Sequence, residues 1–198
     1  MIDFHGPATR LGPSDILATA SALGVSPAAV RAVCSVESSG GGFLPDGRPK
    51  ILFEAHIFHR LTGGQFAALH PNISSAKWDR SLYGRSGAHQ YDRLAEAMAL
   101  DVDASIKSAS WGMFQILGRY HEQCGFARAV DFALAMASGE PAQLKAFADF
   151  VTADPQMLAA LRHLDWTGFA RRYNGPGFAA NNYHIKLADA YALAVMEA

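Results

Sequence analysis

The 198-residue chain is short of cysteine, of net charge and of long apolar runs. Each shortage excludes a class of protein. Two cysteines, Cys34 and Cys124, far apart in the chain, do not make a disulfide framework. Cys34 falls in an apolar helical stretch, where a buried free thiol is the simplest reading. The formal net charge is −1 with a pI near 6.7 and no basic run, so no nucleic-acid partner is expected. No apolar segment approaches the ~18–20 residues of a membrane span, so no stable membrane insertion is expected. The N-terminus, MIDFHGPATRLGPSD, lacks the basic start and apolar core of a secretory signal. Synthesis in the cytoplasm follows. No repeat, linker or low-complexity tract divides the chain, and one domain spanning residues 1–198 is expected.

What is present is an ordinary globular composition, 50% hydrophobic and 18% charged. A chain of this length buries roughly 70% of its unfolded surface. The pattern is helix-dominated. Ser14 is placed to cap a helix ending at Leu23-Gly24, and Ser26-Pro27 opens a second one that runs to Glu37 and the glycines 40–42. Asp46-Gly47 is a turn signal, and Ile51-Leu52-Phe53 reads as a strand or half of a hairpin. A short helix is expected near 56–61, irregular chain over 63–90, and one helix through Tyr91, Leu94, Met98 and Val102. Further helices are expected at 111–123, 128–138, 141–152 and 155–164. A short one starts at Asp165 or Thr167, and a last one is capped by Asn181 or Asn182.

Two carboxyls invite chemistry. Glu37 shares the i, i+3, i+4, i+7 stripe with Val30, Val33 and Cys34, at the negative end of a helix dipole. Burial and the dipole both favour its protonated form, as a general acid requires. The same placement would suit a boundary glutamate that reaches solvent. Strand alternation puts Leu52, Glu54 and His56 on one face, which fits a second catalytic group with its partner or the solvent face of a hairpin. His59 completes an E-x-H-x-x-H string. That is not the HExxH zinc signature, so neither a metal site nor a cofactor is expected. In SWGMFQI (110–116), Ser110 and Gln115 flank aromatic residues that fit either core or a ligand wall. RYNGPG (172–177) is a turn bearing Tyr173 and Asn174.

The combination of these segments is more telling than any one of them. Glu-Ser at a helix end, Gly-Met-Phe-Gln and Tyr-Asn-Gly-Pro-Gly resemble motifs of the lysozyme-like superfamily. The finer resemblance is to the phage endolysin-type N-acetylmuramidase family, formerly a domain of unknown function. ESSGGGFLPDGRP, ILFEAHIFHRLTG, SWGMFQILG, DWTGFARRYNGPG and the final Y-x-x-KLADAY carry it, from about Ser14 to the end. The resemblance implies a mainly α (α+β lysozyme-like) fold, two-lobed, with a small β element and a glycan-binding cleft. It implies that Glu37 is the catalytic acid and that Glu54 lines the same cleft. His56, Ser110, Gln115, Tyr173 and Asn174 would border the glycan. The implied activity is hydrolysis of the β-1,4 bond between N-acetylmuramic acid and N-acetylglucosamine. The alternatives are a lytic transglycosylase and a non-catalytic glycan-binding module. The implied partner is peptidoglycan, bound by a monomer that reaches the cell wall after release from the cytoplasm. RYNGPG stands where related families have AYNAGPG. Relatives often carry a separate wall-binding domain, and none is expected here.

Overall fold

The computed structural model describes residues 2–38 and 40–197. Ten α-helices and three short strands make up its regular structure among those residues. The helices are α1 (Pro13–Leu23), α2 (Pro27–Glu37), α3 (Ala55–Leu61), α4 (His89–Met98), α5 (Val102–Lys107), α6 (Ala129–Ser138), α7 (Glu140–Ala153), α8 (Pro155–Arg162), α9 (Trp166–Tyr173) and α10 (Tyr183–Met196). The strands are β1 (Ile51–Phe53), β2 (Ala109–Trp111) and β3 (Ile116–Leu117), in the order β1-β2-β3, both pairs antiparallel.

Packing falls into two groups. In one, α2 lies along α10 and against α1, and α1 also meets α7; α7 then leads through α8 to α9. In the other, the sheet is backed by α4 and α5, with α3 beside α5. α6 touches both α5 and α7 and joins the groups. The core between them is continuous and rich in aromatics, with Trp111, Phe53, Phe58, Phe132, Phe147 and Phe169 fully buried. No single helix among the described residues is long and apolar enough to cross a membrane.

Local rules explain several helix starts. Ser26 Oγ accepts from the Ala29 N–H at 3.2 Å and Pro27 fills the first turn of α2, as the sequence suggests. α1 begins two residues earlier than expected. Gly12 is its cap, because Pro13 is preset for the first helical position and the Asp15 carboxylate returns to the Gly12 N–H at 2.7 Å. The periodic stretch 91–102 is two helices, since Asp101 accepts from the Ala104 N–H at 2.9 Å and restarts the chain as α5. The final helix follows Asn182, which is left-handed (φ 55°) and makes no side-chain cap.

The helix expected over 111–123 does not exist. That segment forms β2, a tight turn, β3 and a 3-10 turn at Gly118–Tyr120. Gly112 and Gln115 hold φ of 71° and 48° and fold the chain back on itself. β2 meanwhile finds β1 as a partner, with Leu52 opposite Ser110. Helical spacing of apolar residues gives no view of a pairing partner nearly sixty residues away in sequence.

Candidate active site

Glu37 is the last residue of α2, half-buried, with Val30 and Val33 of the same stripe fully inside. Burial raises its carboxyl pKa above the ordinary range. A hydrogen bond from Asn174 and the positive charge of Lys186 on α10 oppose the rise without cancelling it. Asn174 Nδ2 donates to Glu37 Oε1 at 3.3 Å, so the loop after α9 reaches the end of α2. Asn174 Oδ1 is buried and has no protein partner among the described residues. Repulsion from Glu54 would also be expected to lift Glu37, but Glu54 is not among the groups that shift it.

Glu54 ends the run after β1 and stands at the N-cap of α3, where its side chain makes no capping bond. Its carboxylate is held from two sides. The Tyr83 hydroxyl donates a short hydrogen bond to Oε2. His56 Nδ1, in the first turn of α3, lies 3.3 Å from the same oxygen. The expected Glu54–His56 neighbourhood is therefore present, produced by the first turn of a helix rather than by a continued strand. Tyr83 in turn accepts from the indole N–H of Trp78 at 2.8 Å. Burial first, then the Glu54 contact, push the Tyr83 phenol pKa well up and keep it a donor. Arg93 is buried beneath this group and donates to the carbonyls of Phe53 (2.8 Å) and Asn72 (3.1 Å). His59 turns away from Glu54, with Nδ1 3.3 Å from Ser74 Oγ.

The remaining residues marked in the sequence fall into two sets. Ser110 and Gln115 bond to each other across the β2–β3 turn, Ser110 Oγ to Gln115 Oε1 at 2.8 Å. Gln115 Nε2 donates to Gly112 O (2.8 Å) and Lys50 O (3.2 Å), so its amide stitches the turn together although the residue is exposed. The Tyr173 hydroxyl donates to Phe114 O at 2.7 Å, and its ring stacks on Phe169. Tyr173 thus ties the Tyr-Asn-Gly-Pro-Gly turn to the Gly-Met-Phe-Gln turn, while its neighbour Asn174 reaches Glu37. A concavity of about 990 Å³ lies elsewhere, lined by Phe4, His5, Arg48, Tyr91 and Met98 among others.

A family model for N-acetylmuramidases matches residues 26–194, a span that includes Glu37, Glu54, His56, Tyr83, Ser110, Gln115, Tyr173 and Asn174. The chain belongs to the N-acetylmuramidase family. A solved structure agrees. The Burkholderia AP3 phage endolysin is 42% identical over 96% of this chain and 72% of its own, with a TM-score of 0.89. No curated protein matches. The muramidase is therefore a peptidoglycan-degrading, lysozyme-like glycoside hydrolase.

Sequence reasoning named Asn174 and His56 but missed the other groups around the two carboxyls. Trp78 and Tyr83 sit in the Gly- and Ser-rich stretch that shows no periodicity, and a turn bearing aromatic residues is the only signal there. Lys186 belongs to the final motif, yet helical spacing alone does not turn it toward Glu37.

Proposed function

We propose that Glu37 is the general acid of this muramidase and Glu54 its second catalytic carboxylate. The observation that carries the reading is the Glu37 carboxyl itself. It is desolvated at a helix C-terminus, its pKa is raised, and Asn174 grips one oxygen so that the other can carry the proton. That proton passes to the glycosidic oxygen as the C1–O bond breaks, and the N-acetylmuramic acid ring takes on oxocarbenium character. Tyr83 and His56 both meet Glu54 at Oε2, which leaves Oε1 to orient an attacking water and take its proton. A second carboxylate favours hydrolysis over lytic transglycosylation, in which the muramic acid 6-hydroxyl attacks instead of water. Ser110, Gln115 and Tyr173 shape the glycan-binding wall through the turns they brace, and Asn174 and His56 position the two carboxyls. The single continuous core supports one catalytic unit over the described residues, and we take it to act on the cell wall as a monomer.

Mass spectrometry of digested peptidoglycan tests the reaction. Reducing muramic acid ends are expected, and 1,6-anhydro ends would overturn the hydrolytic reading. Glu37→Gln keeps the shape and removes the transferable proton, so lysis of permeabilised cells should fall by about 10²–10⁴-fold in a folded protein. A variant retaining more than about a tenth of the parent rate would show that Glu37 is not the acid.

A further inference from the structure

Helix α7 carries two buried polar side chains that lie outside the sequence motifs and outside the chemistry above. Glu140 opens the helix and Gln143 follows one turn later; they are 3% and 1% exposed. A buried carboxylate is costly unless it is fully paired. Glu140 is paired on both oxygens. Oε1 accepts from Arg10 Nη1 at 2.6 Å and from the Gly42 N–H at 2.9 Å, and Oε2 accepts from the Leu11 N–H at 3.1 Å. Gln143 Oε1 accepts from the Met113 N–H at 2.6 Å, and its Nε2 donates to Met136 O at 2.8 Å.

Two backbone segments are pressed against this pair. A Cβ on Gly42 would stand 2.0 Å from Gln143 Oε1, and one on Gly112 would stand 2.6 Å from Gln143 Cδ. A Cβ on Gly41 would meet Arg10 Nη1 at 1.9 Å. The first and third belong to the glycines just after Glu37, the second to the β2–β3 turn. A glycine run has the greatest backbone freedom of any sequence, so something outside it must fix its path.

We propose that Glu140 and Gln143 are positioning residues that clamp the glycine segment behind Glu37 onto the β2–β3 turn, and so set the place of the Glu37 carboxyl and its shelter from water. The inference rests on the reading of Glu37 as the acid. Two further facts support it. Cys34, one helical turn before Glu37, feels the charge of Glu140, so the clamp lies beside the last turn of α2. Glu140 is not among the groups that shift Glu37 directly. Removing it acts on Glu37 through geometry and hydration.

Carbon-13 NMR of glutamate-labelled protein follows the Glu37 carboxyl, its signal identified by its loss in Glu37→Gln. In Glu140→Ala the Glu37 midpoint should move toward the ordinary glutamate value by at least about half a pH unit as water enters. kcat should fall by about 10–100-fold with KM within about threefold, the cost of a misplaced acid in an intact groove. Glu140→Gln, which retains an acceptor for the Gly42 N–H, should recover most of the lost kcat. Should Glu140→Ala fail to fold, Gln143→Met, of similar length, is read by the Glu37 midpoint and kcat, with KM free to change because Gln143 also holds the β2–β3 turn. A folded variant whose Glu37 midpoint and kcat both match the parent would overturn the proposal. An active Glu37→Gln enzyme would instead refute the reading of Glu37, and the titration would still judge the clamp by itself.

Discussion

Cys34 and Glu37 stand one helical turn apart on α2, and burial raises the pKa of both, with opposite consequences. The Cys34 thiol is pushed up to about 12, first by burial and then by the charge of Glu140, so it carries no thiolate to attack with. Cys34→Ala should therefore stay within about twofold of the parent in rate and lose about 1 kcal/mol of stability for the sulfur it no longer packs. Loss of activity in a stable Cys34→Ala protein would contradict this. For Glu37 the same desolvation preserves the proton an acid needs. Glu54 is a different case, because polar neighbours hold it. Its side chain caps nothing, and α3 is started by its backbone carbonyl, which accepts from Ile57 and Phe58. Glu54→Gln keeps an acceptor for Tyr83, so the melting temperature should barely change while the rate falls by about 10²-fold or more. A falling melting temperature with persisting activity would make Glu54 a structural residue. The burial of Glu37 was legible in its helical stripe, whereas the alternation that singled out Glu54 and His56 stops at Phe53 and the first turn of α3 brings them together instead. Tyr83 and Glu140 were not legible, because what makes them matter lies 29 and 98 residues away in the chain, at Glu54 and Gly42.

Elements were readable where their ends are set locally and unreadable where a distant partner decides. α2 and α8 are marked by Ser26-Pro27 and Asp154-Pro155, and Asp154 accepts from both Gln156 and Met157. The β2–β3 turn has the apolar spacing of a helix, yet Lys50 O accepts from the Gly112 N–H at 2.8 Å and β1 draws the segment into a sheet. Gly112 is the residue on which the turn depends. Its φ of 71° penalises any side chain, and an added Cβ would also press on Gln143. Gly112→Ala should therefore cost about 1–3 kcal/mol, visible as a lower urea midpoint with an unchanged slope. A midpoint equal to the parent's would mean that the turn tolerates a side chain and is not pinned from α7.

Across the whole molecule, the segment before α1 is part of the fold although the sequence resemblance starts only at about Ser14. Phe4 is buried against Trp111 (ring centroids 5.0 Å apart), Gly6 N–H donates to Gly47 O, and Thr9 O accepts from the Glu140 N–H. The burial of Glu37 links its protonation to the stability of this fold, and pH is the variable that exposes the link. Glu37 titrates higher in the folded protein than in the unfolded chain, where a glutamate has a pKa of about 4.3. Below that value both states hold the proton, and the stabilising contribution of the neutral buried carboxyl is fully present. As pH rises toward the folded pKa the unfolded chain has released its proton while the native state still binds one. The unfolded state then binds fewer protons, so stability falls with pH across that window. Above the folded pKa the contribution is gone. Glu37→Gln cannot ionise and escapes this loss. Thermal melts of both proteins from about pH 4 to about pH 9 should therefore show the variant gaining on the parent as pH rises, then holding a constant lead. The same midpoint should govern the alkaline limb of the parent's pH–rate profile, because the general acid is lost there. A variant that trails the parent equally at every pH would show that Glu37 is not held neutral by its surroundings, and the acid role would lose its physical basis.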